Sequence, residues 1–413
     1  MIKSSISLAY VGSLVPDAPP YINKAFSRAG NMCQDLLIKG FLKAGLSPSL
    51  LLSLRPVPSF PGSQQLIYPP VSKTMIEENI LLDFLPFINI TPLKQLSVGF
   101  SALFYLLRWG RRKQNIARKK VIYTYNISVP PGIFTLLGAK LTGSKAIVMV
   151  YDIGVPGVTV PNSFFYRIDY WLHKKTLPLF DGLVVITDAI VNDFAPKVPH
   201  LRIEGGISND LITQYQKTTA TSRRNQDCFT IATAGRLDDL NGINEILEAF
   251  ASINNTSFRL HIAGIGPLEG LVRDAAEKDS RIIFHGFLPF EQIIKLYVTS
   301  DLLINMRLTQ RINTCYFFPS KIMEYLASGV PVVTTCPGNM AVEYGEFAYL
   351  LHNETAEALA YMLLAVASLP KEKRRERGKA AQLHMAKYKT WDVQAEKIVH
   401  FLDCIANNNQ EHI

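Results

Sequence analysis

Three things are scarce in this chain: paired cysteines, long apolar runs and charge. Its five cysteines, Cys33, Cys228, Cys315, Cys336 and Cys404, are scattered without a Cys-x-x-Cys pair. That argues against a zinc site and a disulfide framework, and it fits a reducing cytosol. No apolar run approaches the roughly 18 residues needed to span a bilayer. The N-terminal run Ile6 to Val11 breaks at Gly12 with no cleavage pattern after it, so a signal peptide is not expected. Asp-x-Asp is absent, and the adjacent Asp238 and Asp239 make a poor chelator, so no catalytic metal is expected. Charged residues are 19% of the 413 and hydrophobic ones 48%, which excludes disorder and favours two cores over one.

Acid is scarcest in the first half. Residues 1 to 200 hold 21 Lys and Arg against 10 Asp and Glu, and the remainder 22 against 24, so the net charge of +9 belongs to the first half. Such asymmetry suits an acidic partner: anionic lipid headgroups, a diphosphate-linked acceptor or nucleic acid. No recognisable nucleic-acid module accompanies it, and nucleic acid is not the expected partner. From Leu96 to Lys120 an apolar run, Phe100 to Leu107, precedes Arg108, Arg111, Arg112, Lys113, Arg118, Lys119 and Lys120 with no acid among them. The segment reads as a membrane or acceptor contact through Arg108, Arg111, Arg112 and Lys113, or as a core helix with a solvated basic end.

What is present is alternation. In the second half, β-rich runs at 229–235, 258–264, 282–287, 301–306 and 330–335 are separated by helical patterns such as Ile243, Ile246, Leu247 and Phe250. This βαβ series predicts a parallel sheet with helices on both faces and a ligand at the carboxyl ends of its strands. The first half offers strands at 6–11, 121–126, 146–152, 183–187 and 201–207, around an irregular middle from Pro56 to Arg118. We place an N-terminal domain over 1–207, a polar linker at 208–228, a second domain over 229–388 and a terminal helical segment at 389–413.

The densest signal runs from Phe318 to Val333: a loop, a short helix opened by Pro319, a stop at Gly329 and a buried strand. The start of such a helix offers N–H groups and a positive dipole end to an anion, with Lys321 and Glu324 on one face. Upstream, Phe229 to Arg236 ends in Gly235 and a cation, and Phe258 to Pro267 ends in a turn through Gly264 and Gly266.

These pieces, together with Phe284-His285-Gly286-Phe287, Ser300-Asp301 and Glu343 to Ala348, fall in the order and spacing of a known family. Over residues 229–351 the chain resembles the retaining glycosyltransferases of family 4, in particular their bacterial polysaccharide-assembly branch, which shares the Pro-Ser-Lys and Glu-Tyr pairs. The resemblance implies a GT-B fold: α/β, two doubly wound parallel-sheet domains facing each other across a cleft, with the terminal helix crossing back to the first.

It also implies roles. A nucleotide-diphosphate sugar would be the donor, with no cofactor, and the acceptor a glycan or a polyprenyl-diphosphate-linked glycan at the inner face of a membrane. Arg236 would bind the donor diphosphate, assisted by Lys321; the alternative for Lys321 is an ion pair with Glu324. Glu324 would grip ribose hydroxyls, and Gly235, Gly264, Gly266, Phe287, Pro319 and Ser320 would complete the donor site. Gly30, after Ala29, would meet the diphosphate from the other domain. Asp152 would be a catalytic polar contact, or a turn residue. Three positions depart from the family: Asn241 where a lysine pairs with the arginine, Tyr151 where a histidine lies beside the transferred sugar, and Tyr316 where the first of two glutamates falls. The departures leave open a degenerate sugar-nucleotide binder; an epimerase or inverting transferase on the same fold is the other alternative.

Overall fold

A computed structural model of the chain describes residues 6–16, 18, 21–22, 25–75, 80–116, 118–126, 131–151, 153–222, 227–311 and 315–409. It divides into two compact units: residues 1–204 with 391–413, and residues 205–390.

The first unit is built on an eight-stranded sheet. Its strands in chain order are β1 (Ile6–Gly12), β2 (Pro48–Ser53), β3 (Ile67–Tyr68), β4 (Val71–Met75), β5 (Ile80–Phe84), β6 (Phe87–Ile88), β7 (Lys119–Tyr125), β8 (Lys145–Val150), β9 (Gly182–Val185) and β10 (His200–Arg202). The spatial order is β10-β9-β8-β7-β1-β2-β5-β4, while β3 and β6 form a separate two-stranded ribbon. All neighbours in the large sheet are parallel except β4 with β5. The central strands read as continuous apolar runs because both faces are covered: Leu8, Ala9, Tyr10, Val121, Ile122 and Tyr123 are buried. On one face α1 (Arg28–Lys43), capped by Ser27, packs on the C-terminal helix Trp391–Ala406. Gly40 is required there: a Cβ would lie 2.5 Å from that of Ala395. The remaining helices of the unit are α2 (Leu93–Gly110), α3 (Lys113–Ile116), α4 (Pro131–Thr142), α5 (Phe164–Thr176) and α6 (Asp188–Phe194).

The second unit opens on α7 (Asn209–Thr221) and carries a six-stranded parallel sheet. Its strands are β11 (Phe229–Arg236), β12 (Phe258–Ile265), β13 (Ile282–Gly286), β14 (Leu302–Asn305), β15 (Val332–Thr334) and β16 (Tyr349–Leu350), and its helices are α8 (Ile243–Ser252), α9 (Glu269–Lys278), α10 (Phe290–Thr299), α11 (Lys321–Ala327), α12 (Met340–Tyr344), α13 (Ala356–Ser368) and α14 (Lys371–Tyr388). The order is β13-β12-β11-β14-β15-β16. Progression runs outward from β11 to β13 and then restarts beyond β11 at β14, so the switch point lies between β11 and β14. In α8, Ile243, Ile246, Leu247 and Phe250 are buried, as helical spacing predicts.

Two expectations are corrected. Residues 208–228 are not simply a linker: Ser208 caps α7, accepting from the Leu211 amide at 3.1 Å, and buried Ile212 and Tyr215 anchor that helix, which packs against α10. A run of Thr and Gln around two apolar anchors hid it. The stretch from Pro56 to Arg118 is not irregular throughout, since it holds β3 to β6 and α2. The strands of the ribbon are two residues long, and α2 is apolar on nearly every side, so neither shows a clean period.

Candidate functional site

The second unit has a cavity of about 200 Å³ at its switch point. Its walls are the end of β11 (Thr233 to Arg236), the end of β14 with the residues after it (Ile304 to Arg307), Asn241, and the loop and helix start at Phe317 and Pro319 to Lys321. Of the residues the sequence points to, the structure brings Gly235, Arg236, Pro319, Ser320 and Lys321 together here.

The helix α11 is fastened to β11 by side chains one turn apart. The Tyr325 hydroxyl accepts from the Ala234 amide at 2.8 Å and donates to the Ala234 carbonyl at 3.2 Å, and the Lys321 ammonium donates to that same carbonyl. Burial pushes the Lys321 pKa down, opposed by the charge of Glu324. Gly235 sits at φ 153, and a Cβ on it would lie 2.7 Å from Lys321 Nζ, so the glycine leaves room for the ammonium beneath the strand end. The helix is short, and its Ile322 and Met323 amides donate to the Pro319 and Ser320 carbonyls at 3.1 Å each. An anion here meets side-chain cations more than a helix dipole, which shifts the weight of the sequence reading from the helix start to Lys321 itself.

Arg236 is 69% exposed, and its Nε donates to Asp238 Oδ2 at 3.0 Å. Asp238 is in turn held by Asn241, whose Nδ2 donates to Asp238 Oδ1 at 2.8 Å and to the Arg236 carbonyl at 3.0 Å. Asn241 Oδ1 accepts from Arg307 Nη1 at 3.1 Å. Arg307 is the residue that sequence reasoning missed. Its guanidinium lies 5.0 Å from the centre of the Phe317 ring, and its Nε is buried with no hydrogen-bond partner among the described residues. Its backbone is clamped by Thr335, which accepts from the Arg307 amide at 2.9 Å and donates to its carbonyl at 2.8 Å. Burial pulls its pKa down while Asp238 raises it. The available signal was a cation immediately past a predicted strand end, the same signal that singled out Arg236. Three cations, Arg236, Arg307 and Lys321, thus line one cavity.

Other residues singled out by sequence lie elsewhere. Gly264 and Gly266 are off the cavity lining. A Cβ on Gly264 would stand 1.8 Å from the Gly235 carbonyl oxygen, and one on Gly266 2.3 Å from that of Leu237, so these glycines admit the neighbouring backbone. Phe287, just past β13, is 73% exposed. Tyr316 is buried in the loop before α11. Glu324 is off the lining as well: burial raises its pKa against the pull of Lys321, and its charge also acts on Tyr215 of α7 and Tyr297 of α10. Among the described residues no group of three or more His, Cys, Asp or Glu is placed to hold a metal ion.

The first unit has its own cavity, about 510 Å³, at the ends of β1 and β7 and the start of α1. Gly30 and Tyr151 line it, and Asp152 lies outside the described residues. Side-chain amides of α1 pin the loop after β1: Asn31 Oδ1 accepts from the Val15 amide at 2.8 Å and Gln34 Oε1 from the Ser13 amide at 2.9 Å. Burial pushes the Cys33 thiol up to about 12, with Tyr151 and Tyr125 pulling the other way, and the Tyr151 phenol stands well above its usual range for the same reason. Arg108, Arg111, Arg112 and Lys113 are exposed around the end of α2 and the start of α3. No described helix is long and apolar enough to cross a membrane.

Residues 228–368, which hold the cation-lined cavity, match the family described as glycosyl transferases group 1. This segment is a group 1 glycosyltransferase domain. Over 265 residues the chain is 24% identical to an Escherichia coli protein carrying the name colanic acid biosynthesis glycosyltransferase WcaL, covering 57% of this chain and 64% of that one. The same-named Salmonella typhimurium protein is 27% identical over 53% of this chain and 61% of its own length. The chain therefore aligns with less than two thirds of either relative. Among solved structures, Anabaena HepE in complex with UDP superposes with a TM-score of 0.65 at 13% identity, covering 96% of this chain and 99% of that one. Sucrose-phosphate synthase from Thermosynechococcus elongatus gives 0.64 at 15% identity, with 96% and 98% covered. The pneumococcal O-GlcNAc transferase GtfA, in complex with UDP and GlcNAc, gives 0.59 at 13%, with 97% and 99%. These likenesses give the fold: GT-B, with the glycosyltransferase domain as the second of its two parallel-sheet units.

Proposed function

We propose that this protein is a retaining hexosyltransferase of family 4 that moves a sugar from a nucleotide-diphosphate donor to a glycan or polyprenyl-diphosphate-linked acceptor in cell-surface polysaccharide biosynthesis. The observation that carries the reading is the convergence of Arg236, Arg307 and Lys321 on one switch-point cavity of a group 1 domain. A diphosphate is the ligand whose charge such a set matches, and the same cations then stabilise the charge that develops on the leaving group. Retention follows a front-face displacement. The bond from the anomeric carbon to the donor phosphate breaks as the acceptor oxygen attacks from the same side, and the acceptor proton passes to the departing phosphate oxygen.

The donor occupies the second unit, with Glu324 directed to the ribose and Phe287 at the base. The first unit holds the acceptor. The reaction runs without a metal at the cytoplasmic face of the membrane that carries the lipid-linked acceptor. The UDP in the HepE complex and the WcaL names favour a UDP-sugar and a polysaccharide product. A thermal-shift panel of UDP-, GDP-, ADP- and dTDP-sugars in EDTA tests the donor: one should stabilise the protein by about 2.7 kcal/mol at roughly 100 times its dissociation constant. Silence across the panel would remove the reading. Product stereochemistry by NMR tests retention; slow donor hydrolysis that disappears in Glu324→Ala separates an enzyme from a binder.

A further inference from the structure

Two helices of the first unit present an apolar face that nothing among the described residues covers. On α2 the exposed side chains Leu93, Leu96, Phe100 and Phe104 recur at helical spacing, with both phenylalanines 61% exposed; on α4, Ile133, Leu137 and Leu141 do the same. The helices lie side by side in the same direction, closely enough that three glycines are needed: a Cβ on Gly99 would stand 2.1 Å from the Phe134 ring, one on Gly110 2.4 Å from Thr142, and one on Gly138 3.0 Å from Leu106. The Phe100 and Phe134 rings meet at 4.7 Å, joining the two stripes into one platform. Scattered surface apolar residues are ordinary, whereas a contiguous stripe over two helices marks an interaction surface.

The charge around the platform says what it meets. Between Asp83 and Asp152 the sequence contains no acid and ten basic residues. Arg108, Arg111, Arg112, Lys113 and Lys140 are exposed and gather where the carboxyl ends of α2 and α4 come together at Gly110 and Thr142. The opposite sides of the same helices, through Val98, Ala102, Gly132 and Thr135, form a wall of the 510 Å³ cavity.

We infer that the α2–α4 platform docks on an anionic lipid bilayer and so holds the first unit's cavity beside lipid-carried acceptor. Phenylalanine and leucine side chains enter the headgroup boundary while the cations engage lipid phosphates. This deepens the transfer reading by naming the surface where the acceptor is met, and it rests on that reading only for the acceptor's identity.

The test is co-sedimentation of the full chain with vesicles of phosphatidylcholine alone or with roughly a third phosphatidylglycerol. The expected result is binding to the anionic vesicles only, weakened about tenfold or more by Arg111→Glu/Arg112→Glu and by Phe100→Ser/Phe104→Ser. The charge-reversal pair is exposed and carries the test should the phenylalanine pair not fold. Failure of the wild type to sediment, or equal binding by the charge-reversed variant, overturns the inference. So does light scattering that shows a dimer broken by the phenylalanine changes, since the covering partner is then a second copy. The nucleotide thermal shift of each variant is read alongside: unchanged donor binding with lost vesicle binding separates this surface from the donor site.

Discussion

Arg307 stands beside Asn241, the position where the sequence departs from the family pattern. The asparagine carries no charge but orients one, accepting from the Arg307 guanidinium while tying down Asp238. If Arg307 stands in for the missing lysine, Asn241→Lys in the wild type should not tighten nucleotide binding, because it sets two cations side by side and frees Asp238. The same change in Arg307→Ala should restore a large part of the affinity lost. Isothermal titration of the two single variants and the double variant checks this, and additivity without rescue would refute the substitution. Lys321 gives a pH signature. Burial lowers its pKa, so its charge, and donor affinity with it, should fall away with rising pH earlier than an ordinary lysine allows, while Lys321→Arg should shift that fall to higher pH. A flat affinity profile across the alkaline range would place the ammonium outside the donor site. Arg236, Lys321 and Gly235 were legible from local motifs. Arg307 carried the same strand-end signal as Arg236, but its place beside Asn241 was not legible, because it depends on the pairing of Leu302–Asn305 with the distant β11.

At the scale of elements, two side-chain links join neighbouring elements of the second unit. Tyr325→Phe removes the hydroxyl that serves both polar groups of Ala234, leaving a buried amide unmatched, and should cost about 1–3 kcal/mol in urea unfolding. No change in stability would mean that α11 is fixed by packing alone. On the far side of the sheet, His261 Nδ1 and His285 Nε2 meet at 2.9 Å across β12 and β13. Burial, then His285 and Arg259, lowers the His261 pKa to about 4. The unfolded chain therefore binds more protons between pH 6.5 and 4, so stability should fall as pH drops through that window. Melting temperature against pH should show the slope in the wild type and a shallower one in His261→Phe. The strands themselves were readable because parallel strands buried on both faces are continuous apolar runs. Helix α7 was not, since threonine and glutamine mask its two anchors, while α2 showed only as a membrane contact or a core helix, since both of its faces are apolar for different reasons: one packs inward and the other forms the platform.

Over the whole molecule, the division of labour follows charge. The excess of basic residues sits in the first half, where part of it gathers beside an apolar face, while the second unit lines one strand switch with three cations. Two doubly wound units were predictable from alternation alone; the lining of the second unit's cavity was not, because its cations come together from distant positions. The central claim is that the second unit's cations bind a diphosphate, and the most direct measurement compares a nucleoside diphosphate with its bare nucleoside on Arg236→Ala/Arg307→Ala, using whichever base the donor panel identifies. The account expects diphosphate affinity to fall by roughly 10²-fold or more, with nucleoside affinity and melting temperature nearly unchanged. A loss of less than about twofold for the diphosphate, or an equal loss for the nucleoside, would contradict it.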